Sequence, residues 1–220
     1  SRLRKVTEKA LQIILVSQKQ PKRDARYRGG WRYMPNSEDS DLSVSMWQLM
    51  SLRSAKNSGL DVPKDAIDMA ALYLKRSYYS LRNAHGLPTN LRSGCGYMPG
   101  QPPRYSTAAA GLLGLQVCGE HDAPEARGTA NWLANKRVTS SEQWFYYGTY
   151  YYAQSMHNRK DNDPNSAGSK QARLACDNVE RILLNLQKAT GAWVGNDGME
   201  RGAGRVYCTS LALISLNSST

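Results

Sequence analysis

The chain has 220 residues, 40% of them hydrophobic, which is long enough for one sizeable core. No run of 18 apolar residues occurs, which excludes a membrane-spanning helix, and no leader-like pattern opens the sequence. The net charge of +11 is local: residues 1–32 carry ten Lys or Arg against two acids, leaving +3 on the other 188. This basic stretch carries no nucleic-acid motif and predicts no nucleic-acid binding; it offers peripheral contact with an anionic membrane surface.

In chain order, the first predicted helix lies in "TEKALQIILVSQKQ", and a chain that begins inside a helix reads as part of a longer protein. A glycine-aromatic loop, "GGWRYMP", and the acids Glu38, Asp39 and Asp41 then lead into an apolar run that predicts a helix over 43–56. The next helix spans 66–81 and starts at Val62-Pro63, since proline suits the first helical position. A second loop, "GCGYMPG", precedes a helix over 106–117, followed by one over 126–137. The run 145–157 is so aromatic that a strand is the rival reading; its place in a repeat decides for helix. In "NVERILLNLQKA", Val179, Ile182, Leu183 and Leu186 share one face, and the loop "GAWVGNDG" leads to the last helix, 207–216.

Superposing these runs reveals an internal repeat. The segments starting at Asp41, Arg104, Phe145 and Arg205 are rich in small residues such as Ser45, Ala109, Gly148 and Ala212, which lets helices approach closely in an inner layer. The more amphipathic helices between them form an outer layer. Hairpins repeated in this way predict an all-α fold, an α/α toroid in one domain over 1–220. About four hairpins are visible, fewer than a closed toroid has, so an open or incomplete ring is the alternative.

"LLNLQKATGAW", with Gln187 and Trp193, is similar to the QW motif of the prenyltransferase and squalene-oxidase repeat; "ILVSQKQ" followed by "GGW" is a weaker copy with Gln18 or Gln20 and Trp31. The chain resembles that family along nearly its whole length, and more closely an uncharacterised bacterial branch. The resemblance implies that the glutamine braces helix ends and that the tryptophan stacks beside it. The family's cyclases start polyene cyclisation with an Asp-x-Asp-Asp acid. Here "DSDL" supplies Asp39 and Asp41 as candidate catalytic acids but places Leu42 at the fourth position. Helix N-capping explains the same carboxylates, in which case Asp41→Ala costs ~0.5–2 kcal/mol and Asp41→Asn little.

Trp47, Tyr105, Tyr147, Tyr150, Tyr151 and Tyr207 are the candidate ligand-binding wall, and thirteen Tyr against one Phe point to hydroxyls that reach water or a polar ligand. No cofactor and no metal are expected: Cys208 has no Asp-x-Cys partner for the zinc of protein prenyltransferases, and His85, His121 and His157 fall in loops or at helix ends. "CGEH" looks like a thioester motif with His121 in place of the reacting glutamine, so no thioester forms. The four cysteines read as buried free thiols, with one disulfide as the alternative. Three functions follow: a pocket for an isoprenoid or other amphipathic ligand, a cyclase with an Asp acid, or a peptide- or glycan-binding or structural module without chemistry.

Overall fold

A computed structural model describes residues 2–159 and 163–217, and among them the fold is all-α. The helices are α1 Arg2–Gln18, α2 Leu42–Asn57, α3 Lys64–Ser77, α4 Tyr105–Val117, α5 Pro124–Ala134, α6 Phe145–His157, α7 Ala167–Leu186, the short α8 Gly198–Ala203 and α9 Arg205–Asn217. The aromatic run is helical throughout. The expected helix over 66–81 is shorter: Pro63 stands one position outside it as the N-cap residue, and Tyr78, Tyr79 and Leu81 lie beyond its end. Tyr78 leaves helical geometry to pair with Cys95 in an isolated bridge. α7 in turn starts earlier than expected, where Ser166 caps it by accepting from Ser169 N at 3.0 Å.

The helices form two layers. α2, α4, α6 and α9 pack side by side in that order, while α3 and α5 pack on α4 and α7 packs on α6 and α9. α4, in the middle of the inner row, is buried from Tyr105 to Gln116, which is why its sequence shows no amphipathic stripe. Each of the fully buried leucines Leu42, Leu49 and Leu52 of α2 contributes about 1.5–3 kcal/mol by leaving water. The small residues do what the repeat implies. A Cβ on Gly148 would lie 2.8 Å from the Tyr105 ring, so α4 and α6 approach closely only because that side chain is absent.

The inner helices run in one direction. Leu42 N at the start of α2 donates to Tyr97 O in the loop before α4, and the Arg104 guanidinium before α4 donates to Gln143 Oε1 before α6. At the other end, Gln116 Nε2 near the end of α4 donates to Ser155 O near the end of α6 (3.0 Å).

Two braces repeat along the chain. Trp31 Nε1 donates to Ile14 O and Trp193 Nε1 to Leu183 O, both at 2.8 Å. Gln18 Nε2 donates to Gly29 O and Gln187 Nε2 to Gly191 O, both at 2.9 Å. Each acceptor lies four residues before its glutamine or two before its tryptophan. In both places the backbone N–H of the tryptophan donates to a hydroxyl on the following inner helix, Ser45 or Thr209. These bonds satisfy carbonyls at the helix end and tie outer helix, loop and inner helix together. The loop before α4 makes a related contact without a tryptophan: Thr107 Oγ1 donates to Cys95 O at 2.7 Å.

Cys95, Cys118, Cys176 and Cys208 are all free thiols, and burial raises those of Cys95 and Cys118 to about 12.

Candidate functional site

Because the inner helices are parallel, their N-termini gather at one end of the array, and polar side chains collect there to meet unpaired amides. Asp41 caps α2: its Oδ1 accepts from Val44 N at 2.9 Å and from Ser43 Oγ at 2.6 Å. Its Oδ2, also buried, lies 3.3 Å from Arg32 Nη1 without the alignment of a hydrogen bond. Asp39, partly exposed, pairs with Arg23 at 3.6 Å and Arg32 at 3.8 Å. Arg32 is therefore the hub of the two acids, and its guanidinium also lies over the rings of Tyr33 (5.4 Å) and Tyr97 (5.8 Å).

α6 is capped from a distant segment. Glu200 on α8, fully buried, accepts from Tyr146 N at 2.7 Å and from Tyr147 N at 3.4 Å through Oε1, and its Oε2 has no hydrogen-bond partner. Burial raises its pKa to about 7, against the pull of those amide bonds. Asp197 accepts from Trp144 N and Glu200 N, each at 2.7 Å; burial pushes its carboxyl up, but the backbone bonds together outweigh it and hold the pKa below the ordinary value. Trp144 adopts a left-handed backbone (φ 55°), a conformation that costs about 1–3 kcal/mol where the residue is not glycine.

Tyr147 joins these two polar groups, near Asp41 and bonded through its backbone to Glu200, and the other tyrosines cluster around it. The rings of Tyr147 and Tyr151 are 4.6 Å apart, those of Tyr150 and Tyr151 4.8 Å, and Trp144 meets Tyr207 edge-on at 6.3 Å. Burial raises the pKa of Tyr147 well above its ordinary value, with Tyr151, Tyr207 and Asp41 near enough to push the same way. The hydroxyls of both Tyr147 and Tyr151 are buried and lie within each other's reach, with no hydrogen bond to any other group among the described residues. Tyr150 and Tyr207 are half-buried.

Two of the six expected wall residues stand apart. Tyr105 is in the core, 0% exposed, its hydroxyl 3.4 Å from Thr149 Oγ1 and its ring against Tyr152. Trp47 is 50% exposed on α2, and no ring contact joins it to the tyrosines among the described residues. Asp41, Tyr147, Tyr151 and Tyr207 are brought together; Arg32, Tyr97, Asp197 and Glu200 join them and were not singled out from the sequence. The signal for Arg32 and Tyr97 was present in the paired loops "GWRYMP" and "GCGYMP".

Two surface depressions lie elsewhere. One, about 320 Å³, is walled by Arg53, Lys56, Lys64 and His121 beside the ends of α2 and α4. The other lies on α5. Neither is lined by Asp39, Asp41 or the six aromatic candidates. Among the described residues no three His, Cys, Asp or Glu side chains are gathered in a way that would hold a metal ion. No protein-family model matches the chain, and no characterised protein matches it in sequence.

Proposed function

We propose that the chain is a helical-repeat domain of the α/α-toroid kind, akin to the prenyltransferase and squalene-oxidase repeat, that binds an amphipathic ligand such as an isoprenoid over the starts of α2, α6 and α9. The repeated Trp and Gln braces support the repeat, and α2 and α9 at opposite ends of the inner row support an open rather than a closed ring. One observation carries the binding site: the Tyr147 and Tyr151 hydroxyls are buried with only each other in reach, and Tyr147 lies near Asp41 while its backbone N–H reaches Glu200. Two buried hydroxyls that face only each other leave part of their bonding capacity unused, which a ligand oxygen would take up, while the rings of Tyr150 and Tyr207 offer apolar surface beside them.

Binding has more support than proton donation by Asp39 or Asp41. Asp41 Oδ1 is occupied by two donors, Oδ2 faces Arg32, and Asp39 is shared between two arginines. The exposed Leu3, Val6, Ile13 and Val16 of α1, near Lys5 and Lys9, suit shallow contact with an anionic bilayer from which an isoprenoid would come. The test is a calorimetric titration of farnesol into the parent and into the double variant Tyr147→Phe, Tyr151→Phe. The variant should fold at least as stably and bind roughly tenfold more weakly or worse. Equal affinity in the two would remove the site.

A further inference from the structure

The depression on the outer layer, about 490 Å³, is open and lined by Arg92, Asn131, Trp132, Asn135 and Lys136. Its volume falls in the range of small-ligand sites, roughly 300–1,000 Å³. All five side chains carry N–H donors and no acid lines it, so the surface is matched to a ligand rich in acceptors. Asn131 on α5 and Asn135, the residue that caps the C-terminal end of α5, are four positions apart and both line the depression. The Asn135 amide donates to Asn131 O at 2.7 Å, which orients it and leaves its Oδ1 without a protein partner among the described residues. Lys136 sits 5.3 Å from the Trp132 ring centroid and pairs with Glu142 at 2.9 Å, so it steadies the indole while its charge is already balanced. The Arg92 guanidinium has no acid partner among the described residues and is the uncompensated charge of the site.

The geometry points to a binding site for an acidic sugar, the uronate unit of a glycan, with the carboxylate on Arg92, ring hydroxyls on Asn131 and Asn135, and the sugar's C–H surface against Trp132. Paired amides meet vicinal hydroxyls as both donors and acceptors, and an indole beside them supplies the apolar contact that a pyranose ring uses. A guanidinium binds a planar carboxylate through two parallel bonds, which a neutral sugar cannot provide. The openness of the depression suits a chain that runs across it. A nucleic acid fits less well, because it needs a continuous basic track and this site offers a single unbalanced cation; the excess charge lies instead in residues 1–32. The site is separate from the tyrosine face, so either can fail without the other.

The test is titration of tetragalacturonate into the full chain, followed by calorimetry and by the indole N–H resonance of Trp132, with neutral galactotetraose and a short oligothymidylate as the other arms. The uronate should shift the Trp132 signal saturably, and the neutral sugar should bind at least about tenfold more weakly. Arg92→Ala and Asn131→Ala, at exposed positions, should each weaken uronate binding about tenfold or more with unchanged melting. Trp132→Ala should abolish binding, with Trp132→Phe as the partial form should the alanine variant melt early. Equal affinity for the neutral sugar, tighter binding of the oligothymidylate, or no saturable shift up to about 10 mM uronate would each overturn the assignment.

Discussion

Replacing Asp41 by alanine removes two interactions at once, and the structure allows each to be sized. The cap to Val44 N and Ser43 Oγ is a buried N-cap, worth ~0.5–2 kcal/mol. The second loss is the carboxylate that forms an ion pair with Arg32 Nη1, a buried nitrogen without a hydrogen-bond partner, which adds about 1–2 kcal/mol because Asp39 at 3.8 Å still balances part of the charge. The sum, about 1.5–4 kcal/mol, corresponds to a fall in Tm of roughly 3–16 °C for a chain of this size. Asp41→Asn separates the two parts. It keeps an oxygen for the cap but turns an amide donor toward a guanidinium, so it should cost about 1–2 kcal/mol, more than capping alone implies. In an Arg32→Met background that cost should shrink to within about 0.5 kcal/mol. Urea melts followed by far-ultraviolet circular dichroism would measure all five proteins, the Arg32→Met background included. The reasoning fails if Asp41→Ala melts within about 0.5 kcal/mol of the parent, or if Asp41→Asn is equally costly with and without Arg32.

Trp31→Phe and Trp193→Phe should each cost about 1–3 kcal/mol in urea melts, and by similar amounts, since each strips the same indole bond from a helix-end carbonyl. Gln18→Ala should be costlier than Gln187→Ala, because Gln18 is 2% exposed and also bonds Ala66 O, whereas Gln187 is exposed. Glu200 binds its proton more tightly in the folded state than in the unfolded chain, so its contribution is present below pH ~4.5 and lost as pH rises through about 7. Stability should therefore decline between these values by at most about 1.4 kcal/mol per pH unit from this group. Glu200→Gln, which keeps the oxygen that caps α6, should flatten that decline in melts across pH 4–8 and exceed the parent above pH 7. Native-state titration with a thiol reagent should find Cys118, the most exposed of the four, reacting first and Cys95 last.

Local signals carried much of the architecture. Small-residue runs marked the inner helices, and amphipathic stripes marked α3 and α7. Helix ends were less legible where a distant partner decides them, as at Tyr78, which leaves α3 to meet Cys95. The candidate site was legible only in part for the same reason. Asp41 could be read as a cap from its position, but nothing nearby in sequence says that Arg32 faces it or that α6 is capped by Glu200, 54 residues past Tyr146. Helical spacing placed Tyr147 and Tyr151 on the inner row without revealing their depth. The depth of Tyr105, read as lying before α4, depends on Gly148, whose missing side chain lets the Tyr105 ring sink between α4 and α6.

The central claim is that the buried tyrosine hydroxyls at the start of the inner row receive a ligand. The most direct measurement is a titration of farnesol into protein carrying ring-labelled tyrosine, followed by NMR with Tyr147, Tyr150, Tyr151 and Tyr207 assigned by single Phe substitutions. The account predicts saturable shifts at these four residues and none at Tyr79, an exposed tyrosine beyond α3. Unchanged Tyr147 and Tyr151 signals at saturating farnesol, or shifts confined to exposed rings, would contradict it.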